Sequence, residues 1–287
     1  MKGNLTMNLC LLAHCLSVPT STPPLTHPEL FIPLGDVEEL LEQLAAEQFE
    51  FCLPGSESPA SRKTCSFTFD DGYANNLHFL PLAEKFQLPF VLFLSSINIA
   101  EQLPFLWDIE SLTRSQWRFW EEDYRSAYRS VDAGAKEKLL QDENHRPLTL
   151  AEMQTLSENC WAHFGLHTHS HQPLVGRFLA QAALEITENS RFLAKYPRVL
   201  NRDLALPCGF YTHWTAKYLL KNLVDRVYTV DGGATRPGSP FIHRVTLVNP
   251  TIGGDLRSQI SNSFSRGVKL RRKMVNLRYS LPLLSRF

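Results

Sequence analysis

The feature that most restricts the fold is alternation along the whole chain. Short apolar runs of strand length occur at 9–13, 49–53, 66–69, 90–94, 164–167, 204–206, 227–230 and 241–245. Segments with helical character lie between them, at 37–46, 77–86, 150–159, 175–194 and 211–222. In the segment 175–194, Val175, Leu179, Ala182, Ile186 and Leu193 fall on one stripe, the signature of a helix packed on one face. Thr149-Leu150-Ala151-Glu152 has the spacing of a capping box and predicts a helix start. Strand and helix in alternation build a mostly parallel sheet. Seven or eight such units predict a distorted parallel β/α barrel of seven to eight strands rather than two small open sheets. An open doubly wound sheet is the alternative, because it also gathers its ligands at the carboxyl ends of strands.

Two stretches break the alternation. Residues 107–146 are rich in aromatic and charged side chains and predict a helical insertion near the mouth of the site, its aromatics expected to pack the insertion onto the barrel, with Trp107, Trp117 and Trp120 packing on sugar rings as the alternative. The expected domain is therefore 1–250 with an insertion at 107–146, followed by a tail at 251–287. From Asp255 onward that tail carries eight Lys/Arg against one Asp. It is expected to be a solvated terminal helix, with weak contact to an anionic membrane or a protein partner as the alternative.

Twenty-nine basic and 29 acidic residues cancel, so nothing global points to nucleic acid or a polyanionic substrate. None of the six cysteines forms a C-x-x-C pair, which argues against a structural zinc site or a redox pair. Reduced thiols in a cytoplasmic protein are expected. Residues 8–15 are apolar but short for a signal peptide and contain His14, so a first barrel strand is expected there. No apolar run approaches the ~20 residues of a membrane-spanning helix.

The chemistry lies in two patches. Thr68-Phe69-Asp70-Asp71-Gly72 ends one apolar run, and His167-Thr168-His169-Ser170-His171 ends another. Alone, Asp-Asp-Gly is a common turn, and two histidines four apart occur by chance on many helices. Together they supply one Asp and two His, a three-ligand set that leaves a metal position open for water. The remaining carboxylate is then a natural general base. Leu204-Ala205-Leu206-Pro207-Cys208-Gly209 is a third polar strand end.

With these residues the chain resembles the polysaccharide deacetylase family, the NodB-homology group of carbohydrate esterases. Its first motif, T-F-D-D-G, stands unchanged at 68–72, and its second, H-[ST]-x-x-H, is matched by His167, Thr168 and His171. Leu204–Gly209 is closer to the F-A-Y-P-Y-G of an exopolysaccharide-associated subgroup than to the common R-x-P-Y-G. Phe241-Ile242-His243-Arg244-Val245 is similar to that subgroup's closing L-P-R-I-x-V strand. Leu12-Ala13-His14 sits where members often carry a Tyr-His strand end. The resemblance implies that Asp71, His167 and His171 hold a divalent metal, usually Zn2+, with Co2+, Ni2+ or Mn2+ compatible with the same ligands. It implies Asp70 as the base, and the backbone N–H of Cys208, after Pro207, as an oxyanion donor. Cys208 replaces an aromatic of relatives at the pocket wall. The late L-x-x-H motif that supplies the general acid has no clean copy. His243 is the expected acid, with His213 and His169 as rivals, and His169 is otherwise a pocket-wall residue. The Arg of R-x-P-Y-G that steadies the base is missing, and Arg244 is the candidate to replace it.

The implied activity is removal of N-acetyl groups from an amino sugar in a surface polysaccharide or its precursor. The alternatives are a same-fold amidohydrolase cutting another C–N bond, such as a formamide or ureide, and a catalytically weak sugar-binding homologue.

Overall fold

The computed structural model describes residues 7–18, 27–56, 62–112, 124–129 and 131–265. Its strands are β1 (Asn8–Ala13), β2 (Cys15–Ser17), β3 (Phe31–Pro33), β4 (Phe49–Phe51), β5 (Lys63–Asp71), β6 (Phe90–Leu94), β7 (Ala162–Leu166), β8 (Val199–Ala205), β9 (Arg226–Thr229), β10 (Phe241–His243) and β11 (Val245–Thr246). The main sheet runs β10-β9-β8-β7-β6-β5-β1-β11, and β4 adds to one edge of β5. Every pairing in it is parallel. The two ends of the sheet, β10 and β11, are halves of one segment divided at Arg244. One half pairs with β9 and the other with β1, so this segment draws the sheet into a nearly closed barrel of parallel strands with helices around it. The alternation predicts this architecture. The small β2–β3 sheet lies outside it and is absent from the sequence reading, because three-residue strands leave no periodicity to detect.

Period-2 alternation explains why the strands read as continuous apolar runs. One parity fills the barrel: Cys10, Val91, Phe93, Ala205, Tyr228 and Ile242 form an interior cluster. The other parity packs under the helices: Leu9, Leu11, Phe67, Phe69, Phe90 and Leu92 belong to the large outer core. Gly165 on β7 has a packing reason, since a Cβ there would lie 2.4 Å from the Phe93 ring. Phe69, Leu166 and Leu206, each just before a candidate site residue, are all buried as expected.

The helix Leu150–Glu158 opens with the predicted capping box, Thr149 and Glu152 bonding each other's backbone N–H. The stripe predicted at 175–194 is a 3-10 turn leading into the helix Ala182–Leu193, with Ala182, Ile186 and Leu193 buried. Within the insertion, Trp107, Tyr124 and Tyr128 join Cys15, Phe31, Tyr73 and Phe105 in an aromatic cluster. Trp107 is only 6% exposed, so it packs internally rather than presenting a face to sugar rings. Trp117 and Trp120 lie outside the described residues. The helix Leu256–Ser263 docks on the barrel through Leu256 and Ile260, and Arg257 pairs with Glu47. Residues 266–287, with most of the basic charge, lie outside the described residues. No helix among the described residues is long and apolar enough to cross a membrane.

Candidate metal centre

β5 delivers two adjacent carboxylates to the same place by a change of backbone. Asp70 follows Ser66 and Thr68 on the inward parity. Asp71 should then point outward, but it adopts a left-handed φ of 74°, which turns it back toward the site. Thr168, His171 and Cys208 are also left-handed, at φ 64°, 56° and 55°. Non-glycine residues in this region cost of order 1–3 kcal/mol each and persist where surrounding structure holds them. Four of them on three strand ends mark a built site.

Asp71 Oδ1 lies 3.2 Å from His167 Nε2 and 3.3 Å from His171 Nε2. One ligand atom from each of the three residues falls within 4.8 Å of the others, and all three residues are buried. His167 Nδ1 is 2.9 Å from the Ala205 carbonyl. Donation there leaves the Nε2 lone pair facing Asp71, the tautomer of a metal-ligating histidine. Asp71 Oδ1 is itself buried without a hydrogen-bond partner. Two imidazole nitrogens and an orphaned carboxylate oxygen converging in a dry place suit a divalent cation. The same field acts on protons. Burial opposes a charged carboxylate at Asp71, but His167 and His171 outweigh it and hold its pKa well below the usual range. Burial likewise opposes a charged His167, but Asp70 and Asp71 raise its pKa, whereas for His171 burial prevails and lowers it.

Asp70 stands apart from this triad, its Oδ2 4.0 Å from His167 Nε2. Its partner is Arg244, which binds it with two prongs at 2.6 and 2.8 Å. Burial alone would raise the Asp70 pKa; the Arg244 guanidinium, aided by His167, lowers it instead. Arg244 is fully buried, with its guanidinium over the rings of Phe93 and Tyr228. It therefore occupies the barrel interior at the break between β10 and β11, where it can replace the missing arginine of the third motif.

That placement settles which way His243 faces. Ile242 and Arg244 point inward, so His243 between them points outward. Its Nδ1 is 3.0 Å from Thr229 Oγ1 and 3.6 Å from the Asp231 carboxylate, which also takes a hydrogen bond from Tyr211. The polar partners of His243, the expected acid, are thus Thr229 and Asp231 rather than Asp70 or Asp71. His213 is exposed at the start of the helix His213–Asn222, and His169 Nδ1 is held 2.8 Å from Ser96 Oγ. His14 follows β1 on the same parity as Cys10. Its Nδ1 is buried without a hydrogen-bond partner, and its charge helps to lower the pKa of both Asp70 and Asp71. The Tyr-His strand-end similarity was the only signal for it.

Two supports had no signal at all. Asn189 accepts from the His167 backbone N–H and donates to the Leu94 carbonyl, both at 2.9 Å. Glu185 accepts from the backbone N–H and the hydroxyl of Ser170 at 2.8 and 2.7 Å. Both lie on the helix Ala182–Leu193. Pro207 and Cys208 form the turn after β8, and Cys208 packs against the aromatic cluster that contains Trp107.

A nearly closed parallel barrel with a buried Asp-His-His group that could hold a metal, and a separate, arginine-paired carboxylate, has the donors of a metal-assisted hydrolase. The chain belongs to the polysaccharide deacetylase family, whose sequence model matches residues 57–224. Among solved structures it is similar to IcaB from Ammonifex degensii, with 18% identity, TM-score 0.62, and coverage of 91% of this chain and 98% of that one. It is also similar to the Streptococcus pyogenes deacetylase PplD, with 14% identity, TM-score 0.61, and coverage of 89% and 98%. A de-N-acetylase from Aggregatibacter actinomycetemcomitans gives 13% identity, TM-score 0.60, and coverage of 90% and 99%. At these identities the likeness is one of fold. No curated protein matches the chain.

Proposed function

We propose that this protein removes N-acetyl groups from an amino sugar in a surface polysaccharide or its precursor. The observation that carries the reading is the convergence of Asp71, His167 and His171 beside an Asp70 held ionised by Arg244. Membership of the polysaccharide deacetylase family supports the substrate class, and the de-N-acetylase among similar folds supports the bond. The third-motif form Leu204–Gly209 and the closing strand around Arg244 favour the exopolysaccharide-associated subgroup.

Asp71, His167 and His171 would hold the divalent cation, Zn2+ first among the candidates. When bound, such a cation brings the pKa of a coordinated water from 15.7 toward about 7 and polarises the amide carbonyl. The chain's own groups do the rest. Asp70 takes the proton of the attacking water, and Arg244 keeps it ionised until then. The Cys208 backbone N–H, in the turn Pro207–Gly209, donates to the carbonyl oxygen as negative charge develops there. His14 gives the proton to the departing amine nitrogen, in the role the sequence assigned to His243. Water thus adds to the carbonyl carbon, the C–N bond breaks, and acetate leaves with a free amine on the sugar.

The test is metal analysis of the purified protein, followed by acetate release from N-acetylglucosamine oligomers with and without chelator. Metal-dependent acetate release is expected. A metal-loaded protein that frees no acetate, but frees formate or ammonia from formamides or ureides, would move the substrate class. His14→Gln should lower turnover far more than His243→Gln; the reverse order would return the acid to His243.

A further inference from the structure

Trp107, Tyr73 and Asp108 take no part in these steps, yet they form a buried chain that ends on a metal ligand. We propose that Asp108, Tyr73 and Trp107 are a positioning relay that seats the Trp107 indole against the His171 imidazole and thereby fixes the second histidine of the metal centre. The inference rests on the reading that Asp71, His167 and His171 hold a divalent cation.

The two histidines are held by different means. His167 is anchored twice by hydrogen bonds, through its backbone N–H to Asn189 and through Nδ1 to Ala205. Among the described residues, His171 has no such ring anchor to backbone. Its backbone is left-handed, and its ring rests on Trp107 at 4.3 Å between centroids and on His167 at 4.9 Å. Trp107 is held in turn. Its Nε1 donates to Tyr73 Oη at 2.7 Å, and Tyr73 Oη donates to Asp108 Oδ2 at 2.8 Å. Chemistry sets the direction of both bonds. An indole N–H can only donate, so the Tyr73 oxygen must accept, and its single hydrogen is left for Asp108. Phe105 locks the two rings from the side, 4.2 Å from Tyr73 and stacked at 5.2 Å on Trp107.

Asp108 needs only to accept. It is 2% exposed, and burial pushes its pKa upward. An asparagine offers the same carbonyl acceptor, whereas a leucine offers none. That difference separates a relay from simple packing.

The test uses the full chain, stripped with chelator and titrated with Co2+, reading affinity and visible ligand-field bands together with thermal melting. Tyr73→Phe removes the acceptor for Trp107. It should weaken Co2+ binding about 10- to 100-fold, the usual effect of losing an outer support of a ligating histidine, and shift the bands. Asp108→Asn should keep the wild-type affinity and spectrum, and Asp108→Leu should behave as Tyr73→Phe. Trp107→Phe, which keeps a ring but removes the donor, decides the matter if Tyr73→Phe does not fold, and it should weaken binding with shifted bands. Wild-type Co2+ affinity and bands in the folded Tyr73→Phe or Trp107→Phe protein would overturn the relay. A wild-type chain that takes up no Co2+ would overturn the metal reading and the relay with it.

Discussion

Asp70 and Asp71 are neighbours of identical chemistry, and their surroundings give them separate tasks. Asp71 faces two imidazoles and Asp70 faces a guanidinium; in the proposed mechanism the first is the ligand and the second the base. Asp70→Asn should therefore retain metal stoichiometry but lose activity by roughly 10²–10⁴, the contribution of a placed general base. Parallel loss of metal would make Asp70 a ligand. Arg244→Met should destabilise the fold by about 3–5 kcal/mol, because it strands a buried anion, and Arg244→Lys should recover only part of this, since an ammonium cannot reproduce two prongs. The pair also sets an acid limit. The folded Asp70 pKa lies below the unfolded value of about 3.9. Its stabilising contribution is thus fully present above that value and is lost as pH falls through the lower, folded pKa. Urea midpoints of metal-free protein between pH 7 and 3 should fall more steeply at the acid end for wild type than for Asp70→Asn. Equal slopes would show that the pair does not carry the effect.

At the scale of elements, the helix Ala182–Leu193 is a clamp on the loop between His167 and His171. Its apolar stripe packs it on the barrel, and Asn189 and Glu185 on the same helix bond the loop. Asn189→Leu keeps size and helix propensity but leaves the His167 N–H and the Leu94 carbonyl without their partner. Each such buried loss costs about 1–3 kcal/mol. The variant should melt lower and bind metal more weakly. Thr149→Ala is the contrast. It removes a cap whose partner is Glu152 and not the His167–His171 loop, so it should cost about 1 kcal/mol and leave metal affinity unchanged. Titration of both variants with Zn2+ alongside thermal melts would separate the two effects.

At the scale of the molecule, the barrel is closed by one segment, and the chain beyond it still contributes to the core. Ile260 is almost fully buried in the outer core, so Ile260→Ala should cost about 2–5 kcal/mol. A shift within error in chemical denaturation would return that helix to the tail that composition suggests. The sequence by itself determined the strand–helix alternation, the capped helix at 150 and the two patches, Asp70-Asp71 and His167–His171, whose Asp71, His167 and His171 the structure brings together. These are legible because each depends on local spacing: period 2 in a strand, 3.6 in a helix, two adjacent carboxylates, two histidines four apart. The resemblance offered Arg244 only as a candidate partner for the base; tertiary structure made the Arg244–Asp70 pair, whose members are 174 residues apart in sequence. Such a pair leaves no pattern along the chain, since barrel closure, not spacing, brings the two together. The same closure put Ile242 and Arg244 on the inner face and His243 between them on the other. Strand parity relative to the barrel axis is fixed only once register is fixed, and a one-residue shift reverses it.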